Sequence, residues 1–110
     1  LGHVDAVTSL ISVRTDAGCY WLDFALPEPM RSLLISKGSV SLDGISLTVA
    51  TLEARTFGVQ IVPHTWTHTA LSDLTPGAAV NVEADVLGKY IARLIAVQAE
   101  PDGVGPRRIV

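Results

Sequence analysis

Residues 37–49, with the sequence KGSVSLDGISLTV, decide the fold of this chain. Apolar and polar side chains alternate on both sides of Asp43-Gly44, and an Asp-Gly pair between alternating segments is a strong signal for a tight β-hairpin. The stretch therefore predicts two paired strands, at residues 39–42 and 45–51. In the second strand, Ile45, Leu47 and Val49 share one face, and Ser46 and Thr48 share the other.

The same alternation extends in both directions from this hairpin. Further strands are predicted at residues 3–14, 19–26, 56–62 and 78–85. Helical spacing of apolar residues predicts short helices at residues 28–35 and 64–71 and a closing helix at residues 89–97. The sequence thus predicts an all-β fold: a six-stranded closed antiparallel Greek-key barrel with short helical inserts and a C-terminal helix.

Composition limits the class of protein. The 110 residues, 48% of them hydrophobic, predict one globular domain at residues 1–97 and a flexible tail at residues 98–110. A net charge of −3 without a basic run argues against nucleic-acid binding. No apolar run approaches the roughly 18 residues of a membrane span, and no signal peptide is evident, so a cytoplasmic setting is expected. Cys19 is a single cysteine and is expected to be a small buried hydrophobe.

Several separate motifs resemble riboflavin synthase in that family's order and spacing. They are GHVD at residues 2–5, KGSVSLDGISLTV at 37–49, FGVQIVPHTWTHTAL at 57–71 and VNVEADVLGKY at 80–90. The chain looks like the second of the two homologous barrels of that enzyme, and the first barrel, with its MFTG-type start, does not occur in it. Because the sequence begins at Leu1 rather than Met, we expect it to be a piece of a longer protein.

The resemblance implies an activity. Riboflavin synthase is a homotrimer of two-barrel subunits that converts two molecules of 6,7-dimethyl-8-ribityllumazine into riboflavin and 5-amino-6-ribitylaminouracil. It moves a four-carbon unit between them and needs no metal or cofactor. Its pocket lies between the N-terminal barrel of one subunit and the second barrel of a neighbour. This chain would therefore carry half of a shared site, able to bind ligand but poorly active without a partner barrel.

Three polar residues are predicted to form the catalytic face. A small barrel is filled by its own side chains, so a ligand must bind outside it, and Ser46, Thr48 and Asp85 point away from the core. The pattern also fits solvated hydroxyls and, for Asp85, a helix cap. The resemblance implies that all three are catalytic, that Leu47 lies in the same substrate-binding stretch, and that Lys37 contacts the ligand.

A strand-to-helix junction is the second predicted part of the site. A helix N-terminus presents free main-chain N–H groups, which suit the carbonyl oxygens and ring nitrogens of a lumazine. The resemblance places the ligand against this junction, so the following are predicted to bind substrate: Val62, Pro63, His64, Thr65, Trp66 and Thr67. The side chain of Trp66 fits packing equally well. His64 and His68 lack a further metal ligand at suitable spacing, so no metal site is predicted.

The N-terminal motif supplies a candidate base. By the resemblance, Gly2, His3 and Val4 reach the site from the connection between the barrels. Histidine titrates near neutral pH, and the reaction removes a proton from the 7-methyl group, so His3 is a candidate for the base. A lone histidine of this kind also fits an ordinary surface residue.

Two other interpretations remain. One is a non-catalytic lumazine- or flavin-binding relative that serves as an antenna or storage protein. The presence of Lys37, Ser46, Thr48 and Asp85 together favours the enzyme. The other is a flavin-reductase-type barrel, and it is disfavoured because the Arg-x-Tyr-Ser signature of that family does not occur in the sequence.

Overall fold

The computed structural model of the chain describes residues 4–98. The strands are β1 (Ala6–Asp16), β2 (Cys19–Ala25), β3 (Ser39–Leu42), β4 (Ile45–Leu52), β5 (Thr56–Ile61) and β6 (Ala79–Ala84). The α-helices are α1 (Pro63–His68) and α2 (Val86–Gln98), and short 3-10 helices cover Glu28–Met30 and Ala70–Asp73. None of the helices in this part of the chain is long and apolar enough to cross a membrane.

The six strands close into an antiparallel barrel. Their order around it is β1-β2-β5-β4-β3-β6, and β6 pairs with β1 to complete the circle. The neighbours β2–β5 and β3–β6 are distant in sequence, and this crossover arrangement is that of a Greek key. The predicted all-β Greek-key barrel is therefore confirmed. Closure removes the unpaired strand edges that an open sheet of this size would expose.

The hairpin that opened the sequence analysis forms as predicted. Leu42 pairs with Ile45, and the two turn residues between them, Asp43 and Gly44, both have positive φ, at 48° and 83°. Positive φ at both central positions is the type I′ geometry, whose twist matches that of the paired strands. The turn therefore fixes which β3 residue faces which β4 residue, and with it the arrangement of the polar outer face.

The barrel interior is filled with apolar side chains. Residues with no exposed surface come from β2, β3, β4, β5 and β6: Leu22, Phe24, Leu42, Val49, Phe57, Val59 and Val82. Met30 and Leu71, one from each 3-10 helix, belong to the same buried cluster. Phe24 and Phe57 stack across paired strands with ring centroids 5.4 Å apart. Since this core leaves no lumen for a ligand, any binding site must lie on the outer surface.

The helices differ from their predicted bounds. In place of a helix at residues 28–35 there is a 3-10 turn, Glu28–Met30, and then turns that bury Met30 and Leu34. The predicted helix at residues 64–71 is interrupted at Thr69, which is extended and whose hydroxyl accepts the Leu71 N–H at 3.3 Å. Such a side-chain bond competes with helix continuation.

The closing helix and the first strand also differ from prediction. Helix α2 begins at Val86 instead of residue 89. The Lys89 N–H donates to the Asp85 carbonyl oxygen at 3.2 Å, and this bond carries the helix through Gly88, a poor helix former that lies close to Leu33. Strand β1 continues to Asp16, past the predicted end at residue 14, and leaves Ala17-Gly18 as the turn. The predicted tail at residues 98–110 lies outside the described residues, except for Gln98, the last residue of α2.

Candidate functional site

The outer face of the β3–β4 hairpin carries four hydroxyl-bearing residues in two cross-strand pairs. The register places Ser41 opposite Ser46 and Ser39 opposite Thr48. Val40, Leu42 and Val49 are buried on the inner face, so the hydroxyls lie on the outer one, as predicted for Ser46 and Thr48. Ser39 and Ser41 were not among the predicted site residues, although the alternation of β3 placed them on the same face.

A cleft of about 190 Å³ lies beside this hydroxyl face. It is lined by residues of β3, β4, β6 and the start of α2: Ser39, Val40, Ser41, Ser46, Glu83, Ala84, Asp85 and Val86. The cleft brings together Ser46 and Asp85, which are far apart in sequence, because β3 lies between β4 and β6 in the barrel. Asp85 follows the buried Ala84 and is exposed, as the alternation of β6 predicted.

A second cleft of about 160 Å³ adjoins the first and shares Ser39 and Asp85 with it. Lys37 lines this second cleft, so Asp85 shares one cleft with Ser46 and the other with Lys37. Lys37 has a φ of 71°, and its main-chain N–H donates to the carbonyl oxygen of Val49 at 2.8 Å. The left-handed conformation at Lys37 is thus fixed by a bond to the strand that carries Thr48.

The junction between β5 and α1 lies at the same end of the barrel as Ser46. Strands β4 and β5 are antiparallel with Val49 opposite Val59, so β5 ends where β4 begins. Val62 is exposed, and Pro63 has no N–H to offer, which leaves the N–H groups of His64 and Thr65 at the start of α1. The Trp66 N–H is already bonded to the Val62 carbonyl oxygen at 3.0 Å.

Side chains of α1 are largely engaged with the protein. Trp66 stacks on Tyr20 of β2, with ring centroids 4.2 Å apart and planes 9° from parallel. The Thr67 hydroxyl donates to the Pro63 carbonyl oxygen at 3.1 Å, and the His64 and His68 rings stack at 4.0 Å. A ligand at this junction would therefore be held by main-chain groups. The α1 residues do not line either of the two clefts.

Other predicted site residues stand apart from this face. The side chain of Leu47 is half-buried and packs against the core, so only its main chain can reach an outside ligand. Val4 is exposed at the N-terminal side of β1, and the predicted Gly2 and His3 lie outside the described residues. Within residues 4–98, no group of three or more His, Cys, Asp or Glu side chains could hold a metal ion.

The two clefts fit an uncharged polar ligand. Their lining includes one cation, Lys37, against the carboxylates of Glu83 and Asp85, which is a poor balance for a phosphate group. Serine hydroxyls both donate and accept, and a carboxylate accepts, so together they suit a molecule with many hydroxyl groups. The start of α1 adds main-chain donors for carbonyl oxygens or ring nitrogens.

Comparison with known proteins finds relatives that cover most of this chain. Riboflavin synthase of Photobacterium phosphoreum is 42% identical over 101 residues, which cover 92% of this chain and 46% of that protein. The enzyme of the same name from Bacillus subtilis is 33% identical, over 86% of this chain and 44% of its own length. The chain thus spans about half the length of these relatives. The family model described as "Lumazine binding domain" matches residues 1–85, and the chain belongs to that family.

Proposed function

We propose that this chain is the C-terminal lumazine-binding barrel of a cytoplasmic riboflavin synthase. The enzyme would be a transferase that moves a four-carbon unit between two molecules of 6,7-dimethyl-8-ribityllumazine, giving riboflavin and 5-amino-6-ribitylaminouracil. The observation that carries the proposal is the pair of adjoining clefts in which Asp85 lies with Ser46 and with Lys37. The relatives are named riboflavin synthase, and the family resemblance implies the reaction between two lumazine molecules.

The ligand would bind against the outer surface of the barrel. Its ring carbonyl oxygens would accept hydrogen bonds from the N–H groups of His64 and Thr65 at the start of α1. Its ribityl hydroxyls would bond to Ser46 and Asp85, and Thr48 would bond to the ring. Lys37 would place its positive charge beside the part of the ligand where negative charge develops when the 7-methyl group loses a proton.

The site would be completed by a second barrel. The reaction joins two substrate molecules, so both must be held face to face, and orientation of this kind is worth about 7–11 kcal/mol of the barrier. One barrel offers one ligand surface. The opposing surface would come from the N-terminal barrel of a neighbouring subunit in a homotrimer. His3 would be the base in the completed site.

A complementation assay tests this function. Riboflavin formation from 6,7-dimethyl-8-ribityllumazine is measured with this chain, then with the N-terminal half of the Photobacterium phosphoreum enzyme added as a separate chain. We expect slow turnover first and a rise of at least about tenfold on addition. The double variant Ser46→Ala/Asp85→Ala should remove the rise. Ser9 carries an exposed hydroxyl on the outer side of β1, and the control variant Ser9→Ala should still show the rise in turnover.

The other outcomes discriminate between the interpretations. Full-rate synthesis by the single chain would contradict a site shared between barrels. Riboflavin binding without turnover, with or without the added chain, would favour an antenna or storage protein over an enzyme. Absence of both binding and turnover would reject the proposed function altogether.

A further inference from the structure

The pairing of β1 with β6 ends at Asp5. There the Asp5 carboxylate, instead of a main-chain carbonyl oxygen of β1, accepts the next N–H group of β6. Ala6 pairs with Val82 in the ladder, and the Asp5 N–H donates to the Val82 carbonyl oxygen at 2.9 Å. Two residues further along β6, the Ala84 N–H donates to Asp5 Oδ2 at 2.8 Å. Val4 is thereby released from the ladder and is exposed.

The same carboxylate oxygen also binds helix α2. Lys89 Nζ lies 3.1 Å from Asp5 Oδ2, and the two side chains are 34% and 19% exposed. Partial burial reduces solvent screening, so this ion pair holds its geometry better than a fully exposed one. Asp5 therefore connects the last residue of β6 to the second turn of α2.

Asp85 lies inside this connection. It follows Ala84, whose N–H is bound by Asp5, and its carbonyl oxygen accepts the Lys89 N–H at 3.2 Å. The residue before Asp85 is thus bonded to Asp5 directly, and the Asp85 carbonyl oxygen is bonded to Lys89, whose side chain pairs with Asp5. None of these contacts uses the Asp85 side chain, which lines both clefts.

We propose that Asp5 is a positioning residue, which fixes the β6–α2 junction and thereby orients the Asp85 side chain toward the ligand. It does not line either cleft, so it acts through Asp85. The ligand-dependent part of this inference rests on the proposed function, whereas the anchoring of the junction can be measured without ligand.

Asp43 provides a matched control. Its Oδ1 accepts the Asn81 N–H at 2.8 Å, so it too is a carboxylate bound to a main-chain N–H of β6. It lies in the β3–β4 turn, away from the β6–α2 junction and from both clefts. Asp5→Asn and Asp43→Asn both keep an acceptor oxygen and remove a charge. Asp5→Ala removes the acceptor as well.

The first measurement is amide hydrogen exchange of the full chain without ligand. In Asp5→Ala the Ala84 amide should exchange roughly tenfold faster relative to Val59, a barrel amide that reports global unfolding. Asp5→Asn should restore most of the protection, and Asp43→Asn should leave Ala84 unchanged. Unchanged Ala84 exchange in Asp5→Ala would overturn the proposal.

The second measurement is riboflavin affinity, determined by fluorescence quenching in a double-mutant cycle. Asp5→Ala should weaken binding roughly tenfold, because the Asp85 side chain loses its fixed orientation. In an Asp85→Ala background the same change should cost less than about twofold, because Asp5 acts through the Asp85 side chain. Equal losses in both backgrounds, or an equal loss in Asp43→Asn, would overturn the proposal.

The two measurements separate the inference from the proposed function. If the unchanged chain does not bind riboflavin, the proposed function fails, and with it the ligand-dependent part of the inference. Hydrogen exchange at Ala84 would then still decide whether Asp5 anchors the junction. If the chain binds riboflavin and the cycle is additive, the flavin-binding part of the proposed function stands and the positioning role of Asp5 is rejected.

Discussion

Gly88 of α2 lies so close to the main-chain carbonyl oxygen of Leu33 that a Cβ atom could not fit between them. This contact seats the first turns of α2 against the segment that leads into β3. Leu33 and Gly88 both line the second cleft, together with Lys37 and Asp85. A glycine that weakens the helix by itself thus allows the helix to form one wall of the candidate site.

We expect Gly88→Ala to destabilise the protein by about 1–3 kcal/mol, because the added methyl group must push α2 away from Leu33. Helix propensity by itself would make Gly88→Ala more stable, by about 1 kcal/mol in the free energy of unfolding. The free energy of unfolding in urea measures the difference. Ala96→Gly, at an exposed position of the same helix, calibrates the propensity contribution. A stabilised Gly88→Ala would show that the contact with Leu33 is not rigid.

Trp66 anchors α1 to the barrel through its stack on Tyr20. Trp66→Ala should cost about 2 kcal/mol of stability, since the side chain is half-buried and also packs against the core. It should also weaken riboflavin binding, because the His64 and Thr65 N–H groups lose their fixed position. Trp66→Phe keeps a ring stacked on Tyr20, so it should retain most of the stability and most of the riboflavin affinity. Urea unfolding and a riboflavin titration measure these effects, and unchanged affinity in Trp66→Ala would exclude α1 from the site.

Much of the barrel follows from local sequence patterns. The alternation along β4 predicts that Val49 points inward and Ser46 outward, and the structure confirms both, because alternation directly reports which side of a strand is buried. The Asp43-Gly44 pair predicts the hairpin, because few other residue pairs accept two positive φ values.

Features that depend on distant contacts were not predictable in this way. The start of α2 was placed too late because the contact of Gly88 with Leu33 is invisible in local propensity. The bond between Asp5 and the Ala84 N–H joins two residues that are 79 positions apart in the sequence. The meeting of Ser46 with Asp85 depends on β3 lying between their strands, which only the closed barrel reveals.

Ser46→Ala should weaken riboflavin binding roughly fivefold to tenfold, as expected for loss of one hydrogen bond to an uncharged partner. Stability should stay within about 0.5 kcal/mol of the unchanged chain, because Ser46 is exposed. Ser9→Ala, an exposed serine of β1, is the control and should leave affinity unchanged. Equal affinities for both variants in a fluorescence titration would remove Ser46 from the site.

Helix α2 exposes apolar side chains that a monomer would leave in water, among them Tyr90, Ile91 and Ile95. Contiguous apolar surface of this kind usually marks an interface, so we expect the chain to self-associate as its concentration rises. The double variant Ile91→Lys/Ile95→Lys should remain monomeric, and Arg93→Gln on the same helix should behave like the unchanged chain. Sedimentation over a wide concentration range measures this, and a constant monomer mass for the unchanged chain would contradict it.

We expect a lumazine or flavin to bind on the outer face formed by β3, β4, β6 and the start of α1. The test is to record amide chemical shifts of the isotopically labelled chain while riboflavin is added. The largest shifts should occur at Ser41, Ser46, Asp85 and Thr65. Shifts confined to the Ala17-Gly18 turn and the outer face of β1 and β2 would contradict it.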